Sequence, residues 1–144
     1  MVAKKRVNII VVEDNRIFNS ILTRALNEHI TKTHEITGNY NVKLYSFLNS
    51  EECLSALNND EFTGTSIAFL DYYLGNNTNG IQILNSFKEK NRNIKFVVLS
   101  QSNIIAKQLA EKENLDANSQ FLRKDIYAPD ICCLLMEDFM QNQT

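Results

Sequence analysis

The sequence predicts an α/β fold in which a doubly wound parallel sheet carries helices on both faces. Short apolar runs alternate with amphipathic segments along the chain, and this strand-helix order repeats about five times. Runs such as residues 67–70 (IAFL) and 94–99 (IKFVVL) lack strict alternation, which is typical of strands buried on both faces. The segments between the runs carry apolar residues at three- and four-residue spacing, as helices that cover a sheet do.

The strands are predicted from these apolar runs. We expect them at residues 7–12, 42–47, 67–70, 94–99 and 121–122. The second run (VKLYSF) mixes polar and apolar positions, so it is expected to form a less buried strand at an edge of the sheet.

The first two helices are predicted from an apolar stripe and a capping signal. The stripe that is expected to face the core consists of Ile17, Phe18, Ile21, Leu22, Ala25 and Leu26. Residues 31–41 follow as a polar connection, longer than the ~2–6 residues usual between such elements. This connection is either a tolerated insertion, which we favour, or a contact for a partner. Ser50 is the expected N-cap of the second helix, with Glu51 and Glu52 in its first turn.

The later helices are predicted from similar stripes. Apolar residues that mark the third and fourth helices are Ile81, Leu84 and Phe87, followed by Ile104, Ile105 and Leu109. Pro129 suits the first turn of a fifth helix, because its missing N–H is not needed there. The expected inner side of this last helix carries Ile131, Leu134, Leu135 and Phe139.

Composition limits the classes of protein that this chain can represent. A chain of 144 residues, 44% hydrophobic and 22% charged, suits one compact domain, which we predict over residues 1–144. The formal net charge of -2 gives no reason to expect nucleic acid, and no apolar run approaches membrane-spanning length. The odd set Cys53, Cys132 and Cys133 does not make a disulfide framework, so we expect small buried thiols and a cytoplasmic location.

Polar residues capable of chemistry follow four of the predicted strands. Glu13 and Asp14 follow the first strand, Asp71 the third, Ser100 the fourth and Lys124 the fifth. In doubly wound sheets, ligands gather at the carboxyl ends of the strands, so these side chains are expected to converge at one edge.

The chemistry of this set is coherent. Crowded carboxylates raise one another's proton affinity unless a cation joins them. Hard oxygen ligands in a small hydrated site suit magnesium (Mg²⁺), which often takes phosphate oxygens as further ligands. A carboxylate is also a competent nucleophile for phosphorus, and a lysine with Mg²⁺ can neutralise the phosphoryl oxygens.

These residues resemble the receiver domain of bacterial two-component response regulators, along about residues 7–140. The resemblance implies a flavodoxin-like fold with five parallel strands in the order 2-1-3-4-5. It implies a phosphorelay protein, not an enzyme beyond its own phosphorylation and dephosphorylation, in which Asp71 takes a phosphoryl group from a histidine kinase or phosphotransfer protein. Mg²⁺ is the cofactor that the family requires.

The resemblance also assigns roles around the acceptor. Asp14 and Asp71 become direct Mg²⁺ ligands, Glu13 a ligand through water, and Tyr73 a ligand through its backbone carbonyl. The phosphoryl oxygens would be contacted by Lys124 and Ser100.

Phe121 matches the aromatic position that turns inward when the family's members are activated. Together with Ser100 it would switch the face formed by the fourth helix, fifth strand and fifth helix. A downstream protein partner or a second copy of the chain is expected to bind that face.

The sequence departs from the family's pattern at several positions. Gly80 follows Asp71 at one position more than usual, and Gly75 stands where the family has a proline. Lys124 is followed by Asp125 instead of the usual proline. Gln101 is larger than the residue that commonly follows the hydroxyl residue of the fourth strand, here Ser100. None of these differences removes a reactive group.

Two other functions are weighed against this one. A phosphatase of the haloacid-dehalogenase type also uses an aspartate nucleophile, a hydroxyl, a lysine and Mg²⁺, but its general acid lies two residues after the nucleophile, where this chain has Tyr73. A pseudo-receiver is a folded interaction module that never takes phosphate. A phosphorylation assay separates the three.

Overall fold

The sheet has five parallel strands in the predicted order. The structure is a computed structural model that describes residues 5–37, 40–74, 79–90, 94–101 and 119–142. Its strands are β1 (Lys5–Val12), β2 (Tyr40–Phe47), β3 (Thr65–Asp71), β4 (Ile94–Ser100) and β5 (Ser119–Arg123). All neighbouring strands pair in parallel, in the order β2-β1-β3-β4-β5, which confirms the expected topology and the edge position of β2.

The described helices cover both faces of this sheet. They are α1 (Arg16–Thr37), α2 (Ser50–Asn58), α3 (Gly80–Glu89) and α4 (Ala128–Gln141). The predicted fourth helix, with Ile104, Ile105 and Leu109, lies outside the described residues, so α4 corresponds to the fifth helix of the sequence prediction. Within the described ranges, no helix combines the length and apolar character needed to cross a membrane.

Alternate residues of β1 enter opposite cores, because successive side chains of a strand point to opposite faces. Val7, Ile9 and Val11 pack in a cluster with α1 and α4, whereas Ile10 and Val12 pack in a second cluster with α2 and α3. All five side chains are completely buried. This explains why the run shows no alternation of polar and apolar residues.

The polar segment 31–41 is largely helical, so the predicted long loop is wrong. α1 continues to Thr37, and Ile30 packs against the core beside it. The Thr31 and Thr33 hydroxyls each donate to a backbone carbonyl one turn earlier, at 3.0 Å. The helix persists here with few apolar side chains, so periodicity could not reveal it.

The apolar stripe of α1 is narrower than predicted. Leu22 and Leu26 are completely buried, and Phe18 and Ala25 pack at the edge of the same cluster. The prediction also puts Ile17 and Ile21 in the core, but these side chains are 75% and 50% exposed. An i, i+4 pair follows one line along a helix, and this line lies outside the buried stripe.

The buried face of α4 differs from the predicted one in a similar way. Leu134 is 63% exposed, and Ile131 and Leu135 are only partly buried. The residues that occupy the core are Ala128, Cys132, Cys133, Met136, Phe139 and Met140. Pro129 does lie in the first turn, as predicted.

All three cysteines are buried free thiols, as expected. Burial raises the pKa of the Cys53 thiol to about 12, so it is not a ready nucleophile.

The cap of the second helix lies one residue earlier than predicted. Asn49, not Ser50, is the N-cap of α2, and its side chain accepts the Glu52 N–H at 2.9 Å. Ser50 is instead the first residue of the helix.

Candidate functional site

The register of the sheet brings the strand ends together. Val12 of β1 is paired with Leu70 of β3, so Glu13 and Asp71 follow at the same level. Asp71 is itself the last residue of β3 and pairs with Leu99 of β4. The predicted convergence at the carboxyl edge is therefore a direct result of parallel pairing.

The carboxylates of Glu13, Asp14 and Asp71 form one cluster. Their ligand oxygens all lie within 4.8 Å of one another. Glu13 is completely buried and Asp71 is 6% exposed, whereas Asp14 is open to solvent. The cluster therefore has a closed side inside the fold and an open side from which an ion or substrate can enter.

Lys124 extends from the end of β5 into this cluster. Its ammonium forms an ion pair with Glu13 Oε1, and its Nζ lies 3.6 Å from Asp71 Oδ2. The lysine side chain is only 10% exposed. On another side, the Phe18 ring lies over the ammonium, with the ring centroid 4.7 Å from Nζ.

The first turn of α1 holds the loop after β1. Glu13 Oε2 accepts the Asn15 N–H at 3.1 Å, and the Asn15 side chain in turn accepts the Phe18 N–H at 3.0 Å. The buried Asn19 amide donates to the backbone carbonyls of Glu13 (3.0 Å) and Phe47 (3.2 Å). The roles of Asn15 and Asn19 were not predicted from the sequence, although Asn19 is a polar residue within an apolar stripe.

Three carboxylates share this cluster with one lysine ammonium, and this affects the pKa of Asp71. The pKa of Asp71 is raised from 3.8 to about 8, first by burial and then by the hydrogen bond with Glu13 and its charge. The positive charge of Lys124 opposes this rise without cancelling it. Without a further cation, Asp71 therefore retains a proton near neutral pH.

Backbone hydrogen bonds hold the residue that follows Asp71. The Tyr72 N–H donates to the Leu99 carbonyl at 2.8 Å, and the Gly80 N–H donates to the Tyr72 carbonyl at 3.0 Å. Tyr73, the expected carbonyl ligand, forms an isolated bridge with Asn79, and its side chain is 58% exposed. The Tyr72 and Tyr73 rings meet edge to face, with centroids 4.7 Å apart.

Ser100 and Phe121 lie on the neighbouring strands. Ser100 is 2% exposed at the end of β4, and its carbonyl accepts the Lys124 N–H at 2.8 Å. Phe121 is partly buried against a small cluster formed by Tyr72, Ile81 and Val98. Among the described residues no peptide bond is cis, including the bond from Lys124 to Asp125.

Solved structures show where this fold has been seen before. The chain is similar to the receiver domain of the response regulator NarL from Mycobacterium tuberculosis, with 20% identity, a TM-score of 0.54, and coverage of 92% of this chain and 98% of that one. It is also similar to a receiver domain from Rhodospirillum rubrum, with 19% identity, a TM-score of 0.66, and coverage of 90% and 93%.

A third similar structure is the BeF3-activated receiver domain of DrrB, a Thermotoga maritima response regulator. Identity is 20%, the TM-score is 0.60, and the match covers 96% of this chain and 99% of that one. Against the longer DrrB structure, the match spans 55% of that chain. No protein-family model and no curated protein matches the sequence. The structure therefore has the fold of response-regulator receiver domains, as the sequence predicted.

Proposed function

We propose that this chain is a phosphoacceptor signalling domain in which Asp71 takes a phosphoryl group. The observation that carries the proposal is the position of Asp71, buried at the carboxyl edge among Glu13, Asp14 and Lys124. A nucleophilic carboxylate, a cluster of acids and a lysine within one small site are the parts that phosphoryl transfer to aspartate requires. The receiver-domain fold of the chain supports the same function.

The donor is a phosphorylated histidine of a kinase or phosphotransfer protein. One Asp71 carboxylate oxygen forms a bond to phosphorus, and the bond from phosphorus to the histidine nitrogen breaks. The electron pair of that broken bond leaves with the histidine ring. Asp71 must be deprotonated to attack, and the Lys124 ammonium offsets negative charge on the phosphoryl oxygens. The buried Ser100 hydroxyl is the second proposed contact to them.

Mg²⁺ fits the donor set of this site. Asp14 and Asp71 would bind it directly, Glu13 through water, and Tyr73 through its backbone carbonyl. Oxygen ligands, one exposed carboxylate and the raised pKa of Asp71 suit a small divalent cation, which relieves the repulsion among the acids. When bound, the ion supplies neutralisation and alignment of the phosphoryl oxygens.

The test is phosphorylation by acetyl phosphate with Mg²⁺, comparing wild type with Asp71→Asn. The amide has nearly the shape of the carboxylate but is not a nucleophile, so the variant should fold and take no label. Asp138→Asn, the same change at an exposed position of α4, is the matched control and should label normally.

The outcomes of this assay separate the functions. A receiver accumulates one phosphoaspartate per chain. A phosphatase hydrolyses the donor continuously and accumulates no phosphoaspartate, and a pseudo-receiver neither hydrolyses the donor nor becomes labelled. Full labelling of Asp71→Asn would show that another residue is the acceptor.

The output of the domain is proposed to be a change in one face. If Ser100 and Lys124 move towards the phosphoryl group, Phe121 can fill the space that Ser100 leaves. This movement biases a two-state equilibrium of the face made by the predicted fourth helix, β5 and α4. A protein partner or a second copy of the chain would bind that face. Beryllofluoride with Mg²⁺ should then shift amide resonances from Asp71 through residues 104–127. Shifts confined to the immediate site would contradict this switch.

A further inference from the structure

The Phe18 ring packs over the Lys124 ammonium and forms the apolar side of its surroundings. Lys124 Nζ lies 4.7 Å from the centre of the ring, inside the distance at which a cation is attracted to an aromatic face. The lysine side chain is 10% exposed, so the contact is largely removed from water. Such contacts are stronger when the cation is desolvated.

Three groups contact the ammonium from different elements. Glu13 after β1 pairs with it, Asp71 of β3 lies 3.6 Å away, and Phe18 of α1 covers it. A lysine has a long flexible side chain, and an ion pair alone leaves much of that freedom. The ring covers one side of the ammonium. It therefore limits where the ammonium can move.

Phe18 is itself held in place. Its N–H donates to the Asn15 side chain at 3.0 Å in the first turn of α1. Its side chain packs at the edge of the core cluster that contains Leu22 and Leu26. The core packing and this hydrogen bond therefore hold Phe18 in place, whereas the lysine is the longer and more flexible side chain of the pair.

We propose that Phe18 is a positioning residue that holds the Lys124 ammonium beside Asp71 for phosphoryl transfer. The inference rests on the proposed function of Asp71. The Phe18 ring contacts the lysine ammonium, and its proposed action on Asp71 is through that contact. An aliphatic side chain of similar size keeps the packing but loses the attraction for the cation.

The test compares Phe18→Leu with Phe18→Tyr under acetyl phosphate and saturating Mg²⁺. Loss of the ring should slow phosphorylation by about fivefold to thirtyfold, the factor that corresponds to one cation–aromatic contact largely removed from water. Phe18→Tyr keeps an aromatic face and should restore the rate. Ile21→Ala, at a half-exposed position of the same helix, is the matched control and should label at the wild-type rate.

A double-mutant cycle distinguishes positioning from general damage. In a Lys124→Ala background, Phe18→Leu should have no further effect on the rate, because its route of action is gone. An equal slowing in both backgrounds would overturn the proposal, and so would a Phe18→Leu protein that labels as fast as wild type. A wild type that takes no phosphate overturns the proposed function as well.

A direct measurement covers the case in which Phe18→Leu does not fold. Protons held over an aromatic face are shifted upfield by its ring current. The Lys124 side-chain methylene protons next to the ammonium should therefore resonate upfield of the usual lysine positions in wild type and in Phe18→Tyr. Lys43 is not a reference for this comparison, because its Nζ lies 4.9 Å from the centroid of the Tyr45 ring. Ordinary chemical shifts for Lys124 in wild type would overturn the contact without any variant.

Discussion

The start of α3 is packed directly on the backbone of Asp71. A Cβ added to Gly80 would lie 2.8 Å from the Asp71 carbonyl oxygen and 3.3 Å from the Leu70 Cβ. The first of these distances is shorter than real Cβ contacts, and backbone at the end of a central strand has little freedom to withdraw. Gly80 thus allows the helix to begin beside the Asp71 backbone.

Gly80→Ala should therefore cost stability and activity together. We expect the free energy of unfolding to fall by about 1–3 kcal/mol, the usual cost of overpacking a close contact. Phosphorylation should slow as well, because relief of the overlap displaces Asp71. Urea denaturation and acetyl phosphate labelling measure the two effects. Asn85→Ala, at an exposed position of α3, should change neither, and unaltered stability of Gly80→Ala would contradict the packing argument.

Asp14→Ala should abolish most Mg²⁺ binding. Asp14 is the exposed carboxylate of the cluster, and in the proposed ligand set its loss leaves only Asp71 and the Tyr73 carbonyl as direct ligands. We expect a loss of affinity beyond the roughly 10- to 100-fold that removal of an outer hydrogen-bond partner costs at metal sites. Titration calorimetry is suitable because the sequence has no tryptophan. Asp138→Ala is the control, and equal affinity in Asp14→Ala and wild type would refute the ligand assignment.

Asp71 should make the metal-free protein less stable as the pH rises. The pKa of Asp71 is about 8 in the folded chain against an ordinary value of 3.8, so between these values the folded state holds a proton that the unfolded state has released. Stability falls with pH wherever the folded state binds more protons, so this contribution declines from about pH 4 to about pH 8. Above that range the decline ends.

The measurement is urea denaturation of wild type and Asp71→Asn from pH 5 to pH 9 without divalent ions. The difference in stability between the two proteins should grow in favour of the variant as the pH rises. Mg²⁺ should reduce the difference, since a bound cation favours the carboxylate. A difference that does not depend on pH would show that Asp71 ionises at its ordinary value.

The phosphorylated state should decay slowly. Hydrolysis needs a water in line with phosphorus, and the positions two residues after Asp71 and two after Ser100 border that approach in the family that the sequence resembles. These are Tyr73, whose bulky side chain is 58% exposed, and Ser102, which lies outside the described residues and is too short to orient a water.

The comparison for decay is wild type against Tyr73→Asn combined with Ser102→Glu. Loss of phosphate from the purified protein should be several times faster in the double variant. Tyr127→Asn replaces a tyrosine of similar exposure in the loop before α4 and should leave the lifetime unchanged. Equal decay of wild type and the double variant would show that these side chains do not control it.

The parallel sheet and the convergence of Glu13, Asp71 and Lys124 could be predicted, because both depend on apolar runs and on the polar residues at their carboxyl ends. Contacts between elements could not be predicted in this way. Nothing in the spacing of Phe18 and Lys124 along the sequence indicates that a ring covers an ammonium. The end of α1 at Thr37 was missed because the sequence of its last turns contains few apolar residues.

The sequence pattern also could not decide which of two similar neighbouring residues caps a helix or enters the core. Asn49 and Ser50 are both good capping residues, and only the path of the chain decides that Asn49 accepts the Glu52 N–H. Likewise, Ile21 and Leu22 are equally apolar, yet one is half exposed and the other is buried. Periodicity indicates that a stripe exists, whereas packing against β1 and α4 sets its width.

The edge-to-face pair of Tyr72 and Tyr73 gives the molecule an intrinsic optical probe. Because the chain has five tyrosines and no tryptophan, tyrosine dominates its near-ultraviolet absorption. Two of them follow Asp71 directly, with ring planes at 89°, one ring buried and the other exposed. Such a fixed asymmetric pair contributes to circular dichroism in that region. Any rearrangement of the backbone after Asp71 should therefore be visible in the aromatic spectrum of the unlabelled protein.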